Sequence, residues 1–290
     1  MPAPAEVGYW TGGLIYTPSW GSLIDLELGA QDASGTNWVI ISVQGMDGPP
    51  TAGGVVQRAG DHGAYAPPAY YAGRPLTLTV QATAVSQALR DVARAALAQV
   101  LPVSDLATLR IDEPIPKQML VRRSGQVTET YPTLNDVVFT IGLIAPDPRK
   151  YSTLQQTVTV AQGSPAAGLA PPLTPPFTLP AGAPPMSATI TNNGSFETRP
   201  TVTISGPISG PAVVNQTTGQ AVSFTALVLS STDVLVVDFL NQKATLNGVF
   251  RTADLASSWW VVQPGSSTVQ VTGTAGAGAQ MTVAWRDAWI

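Results

Sequence analysis

The chain has no cysteine and one histidine, and charged residues make up only 11% of its 290 residues. Without thiols there is no disulfide frame and no thiolate metal site. A lone histidine also excludes the multi-histidine ligand sets of catalytic zinc. Lysine and arginine together number 14 against 18 acidic residues, a net charge of −4. That balance argues against a nucleic-acid grip, which needs a basic face. No apolar run approaches the roughly 20 residues that span a bilayer. The opening residues, MPAPAEVGYWTGG, carry neither a basic nor an apolar signal region. The expectation is a protein made in the cytosol that stays there or leaves by a route other than secretion.

Hydrophobic residues, by contrast, make up 44% of the chain. Low charge without membrane spans implies a surface covered largely by partners. The length allows two domains, each with its own core. The stretch from Asp233 to Gly265 sets the character of the second. Val234 to Val237 is short enough for a buried strand, Lys243 to Leu246 alternates, and Asn247-Gly248 is a strong turn signal. The stretch closes on Trp259-Trp260 and a Pro264-Gly265 turn.

Taken in order, residues 9 to 45 read as strands, with Ile24 to Leu28 alternating and Val39 to Val43 β-branched. Gly45 to Gly73 reads as a long loop, a binding surface or flexible arm, and holds His62. His62 is a candidate ligand or base, but no second histidine or clustered carboxylate accompanies it, so it reads as a turn residue tolerating unusual backbone angles. Leu76 to Val80 is another strand. A helix is predicted near 85–101, with Val85, Leu89, Val92, Ala96 and Val100 as its apolar stripe packed on the sheet of its own domain. Ser86 or Thr83 caps it and Pro102 stops it. Strands follow at Thr108 to Ile111, Gln118 to Arg122 and Asp136 to Leu143, and the prolines around Asp147 end the pattern.

Residues 161–186, mostly Pro, Ala and Gly, are predicted to form an extended connection between an N-terminal domain of residues 1–160 and a C-terminal domain of 187–290. In the latter, alternating strands at Thr201 to Ile204, Thr268 to Val271 and Met281 to Trp285, separated by turns, predict a sandwich or jelly roll. Asn193 and Asn215 sit in glycosylation patterns but read as turns.

No catalytic constellation emerges. There is no Gly-x-Ser-x-Gly elbow and no phosphate loop, and Gly276 and Gly278 lie in a turn. Asp233 and Asp238 stand at strand edges, and Glu197, Asp254 and Asp287 do not pair by spacing. The chain is therefore read as a non-enzyme with no catalytic, cofactor-binding or metal residues and no cofactor. Trp259-Trp260, Trp285 and Trp289 raise a glycan-binding alternative, against which at least one of the adjacent pair belongs to the core.

The order of turns and strands in the second half resembles the distal tail protein (Dit) family, the siphovirus-type tail component of long-tailed phages. The matching residues are Asn193-Gly194, Pro200 before Thr201 to Ile204, Gly206, Asn215 with Thr218-Gly219, Asp233 to Asp238, Asn247-Gly248, Trp259 or Trp260, and Pro264-Gly265. In the first half, the helix within a β domain and the exit Asp147-Pro148-Arg149-Lys150-Tyr151 are similar. The resemblance implies a mainly β protein whose N-terminal domain with one α-helix closes into a homo-hexameric ring. Its C-terminal domain would be a galectin-like β-sandwich on the outside. The implied role is a structural adaptor at the distal end of the tail in the virion, between the tail tube protein and the tip or hub protein, assembled in host cytoplasm. The genome would pass through the ring without specific nucleic-acid or membrane binding. The alternative is a module for a host receptor or cell-wall glycan.

Overall fold

The computed structural model describes residues 11–18, 23–101, 103–163 and 185–290. The chain forms two compact units, Met1–Thr153 with Ile290, and Leu154–Trp289. It is mainly β, with a single helix among the described residues.

In the first unit, β1 (Gly12–Tyr16), β2 (Ile24–Leu28) and β3 (Asn37–Gln44) come first. Four short strands follow, β4 (Thr51–Ala52), β5 (Val56–Gln57), β6 (Ala64–Tyr65) and β7 (Tyr70–Tyr71). Then come β8 (Arg74–Thr83), α1 (Gln87–Val100), β9 (Ala107–Ile111) and β10 (Lys117–Arg123). β11 (Thr128–Thr130), β12 (Asp136–Ala145) and β13 (Lys150–Ser152) complete it. The main sheet runs β2-β1-β9-β10-β12-β8-β3, with β11 beside β12 and β13 beside β10. β12 shows why alternation works: Val137, Phe139, Ile141 and Leu143 are buried while the residues between them are not. Trp38 stacks on Phe139 in this core, with ring centroids 6.3 Å apart.

The helix begins where Ser86 accepts the Leu89 amide on its hydroxyl at 3.4 Å, which identifies Ser86 as the cap rather than Thr83. It packs against β1, β2 and β8 of its own unit, as expected. Its buried face is Ala93, Leu97 and Val100, however, and Val85 and Val92 are exposed. Val85 precedes the cap, so it never joins the helical face. The stop assigned to Pro102 lies outside the described residues.

A second correction concerns Gly45 to Gly73, a loop that folds into a ribbon of two short ladders joined by irregular residues. β4 pairs with β7, and β5 pairs with β6 farther out. Its strands are two residues each and lack a buried side, so no period-2 signal was there to read.

The second unit opens with β14 (Gln156–Ala161), β15 (Met186–Asn192), β16 (Thr201–Ser205) and β17 (Ile208–Asn215). β18 (Gln220–Ser223), β19 (Val228–Leu229), β20 (Val234–Asp238), β21 (Lys243–Leu246) and β22 (Val249–Arg251) follow. β23 (Gly265–Ala275), β24 (Gln280–Trp285) and β25 (Ala288–Trp289) end it. One sheet runs β14-β24-β16-β20-β21-β22 and the other β15-β23-β17-β18, with β19 beside β17. Inward residues of both, such as Val202, Ile204, Leu235 and Val237 from one and Ile190, Val213 and Val271 from the other, join in one core, which makes a sandwich.

The boundary between the units falls between Thr153 and Leu154, ahead of the 161–186 connection expected from composition. The reason is pairing: β14 lies along β24 from Gln156↔Trp285 to Ala161↔Gln280. The expected connection therefore joins two strands of the second unit, and its residues 164–184 lie outside the described residues.

Turn chemistry is local. Asn247 (φ 49°) and Gly248 (φ 81°) both take left-handed backbone between β21 and β22, the pair of angles a two-residue hairpin turn needs. Asn247 also donates to Asp233 Oδ1 at 2.7 Å and accepts the Val234 amide at 2.9 Å. Buried Asn192 receives the Gly194 and Ala288 amides on its side-chain oxygen and donates to the Phe196 and Val262 carbonyls. No hydrophobic pattern announces such a residue.

Candidate functional site

Two surfaces stand out, one on each unit. On the first, every residue from Pro50 to Tyr71 is exposed except Ala64, which is half-buried. The ribbon carries Val55, Val56, Tyr65, Tyr70 and Tyr71, all large, apolar and open to water. Its tip pairs Arg58 with Asp61 at 3.8 Å, both well exposed, a contact worth little by itself. The Arg58 guanidinium also lies 5.1 Å from the centre of the Tyr65 ring. His62 sits at this tip with its amide donating to Asp61 Oδ1 at 2.7 Å. The left-handed angles fall on Gly60 and Gly63 beside it, not on His62 as the turn reading assumed.

The root of the ribbon is held differently. Arg74, fully buried, donates to the Gly45 carbonyl at 2.9 Å, the Pro148 carbonyl at 3.0 Å and the Asp47 carbonyl. Lys150 donates to the Met46 carbonyl at 2.9 Å. Three consecutive carbonyls thus end on two cations, which fixes the direction in which the ribbon leaves the sheet. Burial, and then the nearby Arg74 and Lys117 charges, push the Lys150 pKa below the ordinary lysine value.

On the second unit, the tryptophan pair divides. Trp260 is core, 4.0 Å from the Phe239 ring centre, with its indole N–H directed to the Val213 carbonyl at 3.4 Å. Trp259 is half-buried and lines a cleft of about 300 Å³ with Phe250, Arg251, Asp254, Gln242 and Ser257. A second lobe of about 170 Å³ shares Arg251, Thr252 and Asp254 and is floored by Phe224 and Leu227. Trp285 is buried and donates to the Thr191 carbonyl at 2.9 Å, which removes it from any sugar face; Trp289 is half-buried. Trp259 and Asp254 were the sequence signals in this cleft; Phe250 and Arg251 gave none.

Three of the carboxylates noted from sequence, Asp233, Asp238 and Asp287, serve turns. Asp233 takes the Ser230 amide and hydroxyl on one oxygen and Asn247 on the other, and these bonds hold its pKa below the usual carboxylate value. Asp238 caps the Leu240 and Asn241 amides, and Asp287 receives the Asn193 amide and side chain. Asn215, likewise, accepts the Thr217 and Thr218 amides as a turn residue. Among the described residues no group of three His, Asp or Glu side chains converges as a metal site.

Residues 193–289 match the family described as siphovirus-type tail component, C-terminal domain. The chain is similar in fold to SPP1 Dit, described as a paradigm of hub adsorption apparatus in Gram-positive infecting phages. That likeness has a TM-score of 0.60 at 16% identity and covers 87% of this chain and 94% of that one. It is also similar to a chain of the phage P2 baseplate in its activated conformation with Ca, at TM-score 0.55 and 10% identity, covering 95% and 97%. The same baseplate with Sr gives 0.56 and 11%, covering 96% and 98%. No curated protein matches. The resemblance drawn from the turn-and-strand order of the second half is borne out by that match, which falls within the second unit.

Proposed function

We propose that this chain is a structural adaptor at the distal end of a phage tail, closing through its first unit into a six-membered ring that joins the tail tube to the tip or hub protein. The exposed ribbon from Pro50 to Tyr71 carries the reading. An apolar two-stranded ribbon is marginal in water by itself, and its aromatic and β-branched side chains gain most from being covered by a neighbouring copy. Its two strand edges offer unpaired backbone groups to that neighbour. A ring is the closed form of such a head-to-tail contact. The net charge of −4 suits a lumen that lets the genome pass without holding it. The ring needs no reactive centre, and Asp233, Asp238 and Asp287 serve turns. The place of the protein is then the virion, after assembly in the host.

Light scattering on the purified chain tests this. The expected mass is six times the monomer's 30.1 kDa. Replacing residues 51–71 by a short glycine linker is expected to return the monomer with the strand content of both units intact. A ribbon-deleted protein that still forms the ring, or an intact protein that stays monomeric at assembly concentrations and is absent from the distal tail in images of virions, overturns the reading.

A further inference from the structure

We infer that the cleft bounded by Phe250 and Trp259 on the second unit binds a neutral saccharide, with one sugar ring seated against Phe250 and Trp259 and the chain continuing past Arg251. The lobes, about 300 and about 170 Å³, share Arg251, Thr252 and Asp254 as their divide. The first is near the lower end of small-ligand sites, and the second extends it. The first lobe offers aromatic rings, Phe250, 59% exposed, and half-buried Trp259, whereas Phe224 beneath the second is core at 3% exposure and leaves that lobe to Arg251, Thr252 and Asp254. Flat aromatic faces match the C–H faces of a pyranose, and they need polar groups beside them to read its hydroxyls.

Those polar groups are present and in part free. Arg251 is exposed, and its guanidinium has neither a hydrogen bond nor an ion pair among the described residues, although Asp254 lines the same two lobes. Asp254 spends Oδ2 on the Thr225 amide at 2.9 Å, which aims the carboxylate and leaves Oδ1 for a ligand. One strong donor beside one strong acceptor is what a hydroxyl-rich ligand uses, since each hydroxyl both gives and accepts. The pair carries no net charge, so it does not favour a phosphate or another anion.

The cleft is preformed. The loop after β22 is tied to β18 by the Asp254 amide on the Ser223 carbonyl at 2.8 Å and the Ser258 amide on the Ala221 carbonyl at 2.7 Å. Ser257 Oγ accepts the Ser223 amide at 3.0 Å. Little ordering remains to be done on binding. A peptide added as a strand is disfavoured here because the edge strand β22 is only three residues long.

The test is a titration of the full chain, followed by tryptophan emission, with glucose, galactose, rhamnose and N-acetylglucosamine and their di- and tetrasaccharides. The expected result is a saturable change with at least one series, a dissociation constant on the order of 1 mM for the monosaccharide and about tenfold tighter for the oligosaccharide. Phe250→Ala and Arg251→Ala, both at exposed positions, are each expected to weaken it about tenfold, while Tyr65→Ser on the ribbon leaves it unchanged. No saturation across the panel, full binding by Phe250→Ala, or saturation only by an extended peptide overturns the inference. The oligomer mass reports on the ribbon and this titration on the cleft, so either reading can fail alone.

Discussion

The first unit leaves about twice as many large apolar side chains open as the second, 15 against 7 among the described residues. Among the described residues most exposed large apolar side chains belong to the first unit, from Leu23 through the ribbon to Leu134. In the second, Val249, Phe250 and Leu255 cluster at β22 and the loop after it, while Leu154, Val228, Val234 and Leu240 are exposed elsewhere. The sandwich core is otherwise closed. One unit presents a broad open apolar area, the other a small, polar-edged recess among scattered exposed side chains.

If the units fold independently, damage to one core should leave the other unit's unfolding unchanged. The largest effect is expected from Trp260→Ala, which removes a buried indole packed on Phe239 and should cost the second unit about 4 kcal/mol. In a denaturant titration only one transition should move; a matching shift in both would break the comparison. Asp32→Ala comes next, at about 2 kcal/mol in the first unit. Burial opposes ionisation of Asp32, yet bonds from the Ser34 hydroxyl, the Trp38 indole at 2.9 Å and the Thr36 and Ser34 amides hold its pKa below the usual value. Its contribution is present above the ordinary aspartate pKa and lost as pH falls through the depressed one. Acid titration of the variant's stability should therefore be flatter than that of the parent.

The smallest effect concerns Lys150 at the ribbon's root. Its depressed pKa means the unfolded chain holds a proton that the folded one has released, so first-unit stability should rise as pH climbs from the lowered value toward the ordinary one. The slope is at most about 1.4 kcal/mol per pH unit. Lys150→Met should remove that slope. A slope unchanged in the variant would place the titrating group elsewhere.

How much of this was legible in the residues depended on whether burial left a period. Ile24 to Leu28 and β12 alternate because one side faces a core, and Asn247-Gly248 declares its turn through backbone angles few other pairs accept. The ribbon has no buried side and so wrote no alternation. Spacing alone did not distinguish Val92 from Ala93, since both lie on helical repeats and the rotation of α1 is set by Leu97 and Val100 against β1, β2 and β8. The boundary at Thr153 depended on a pairing partner more than a hundred residues away. Of the cleft, Trp259 and Asp254 were singled out but not joined to Arg251, because these residues come together through a loop whose anchors are backbone amides.

The reach of β14 across to β24 has a practical meaning for anyone handling the protein. A protease nick anywhere between residues 164 and 184 would not part the molecule, because the peptide ahead of the nick still ends in a strand zipped to the far end of the chain. Such a preparation would show two bands on a denaturing gel and one species in a native column, and would look whole to every assay short of boiling.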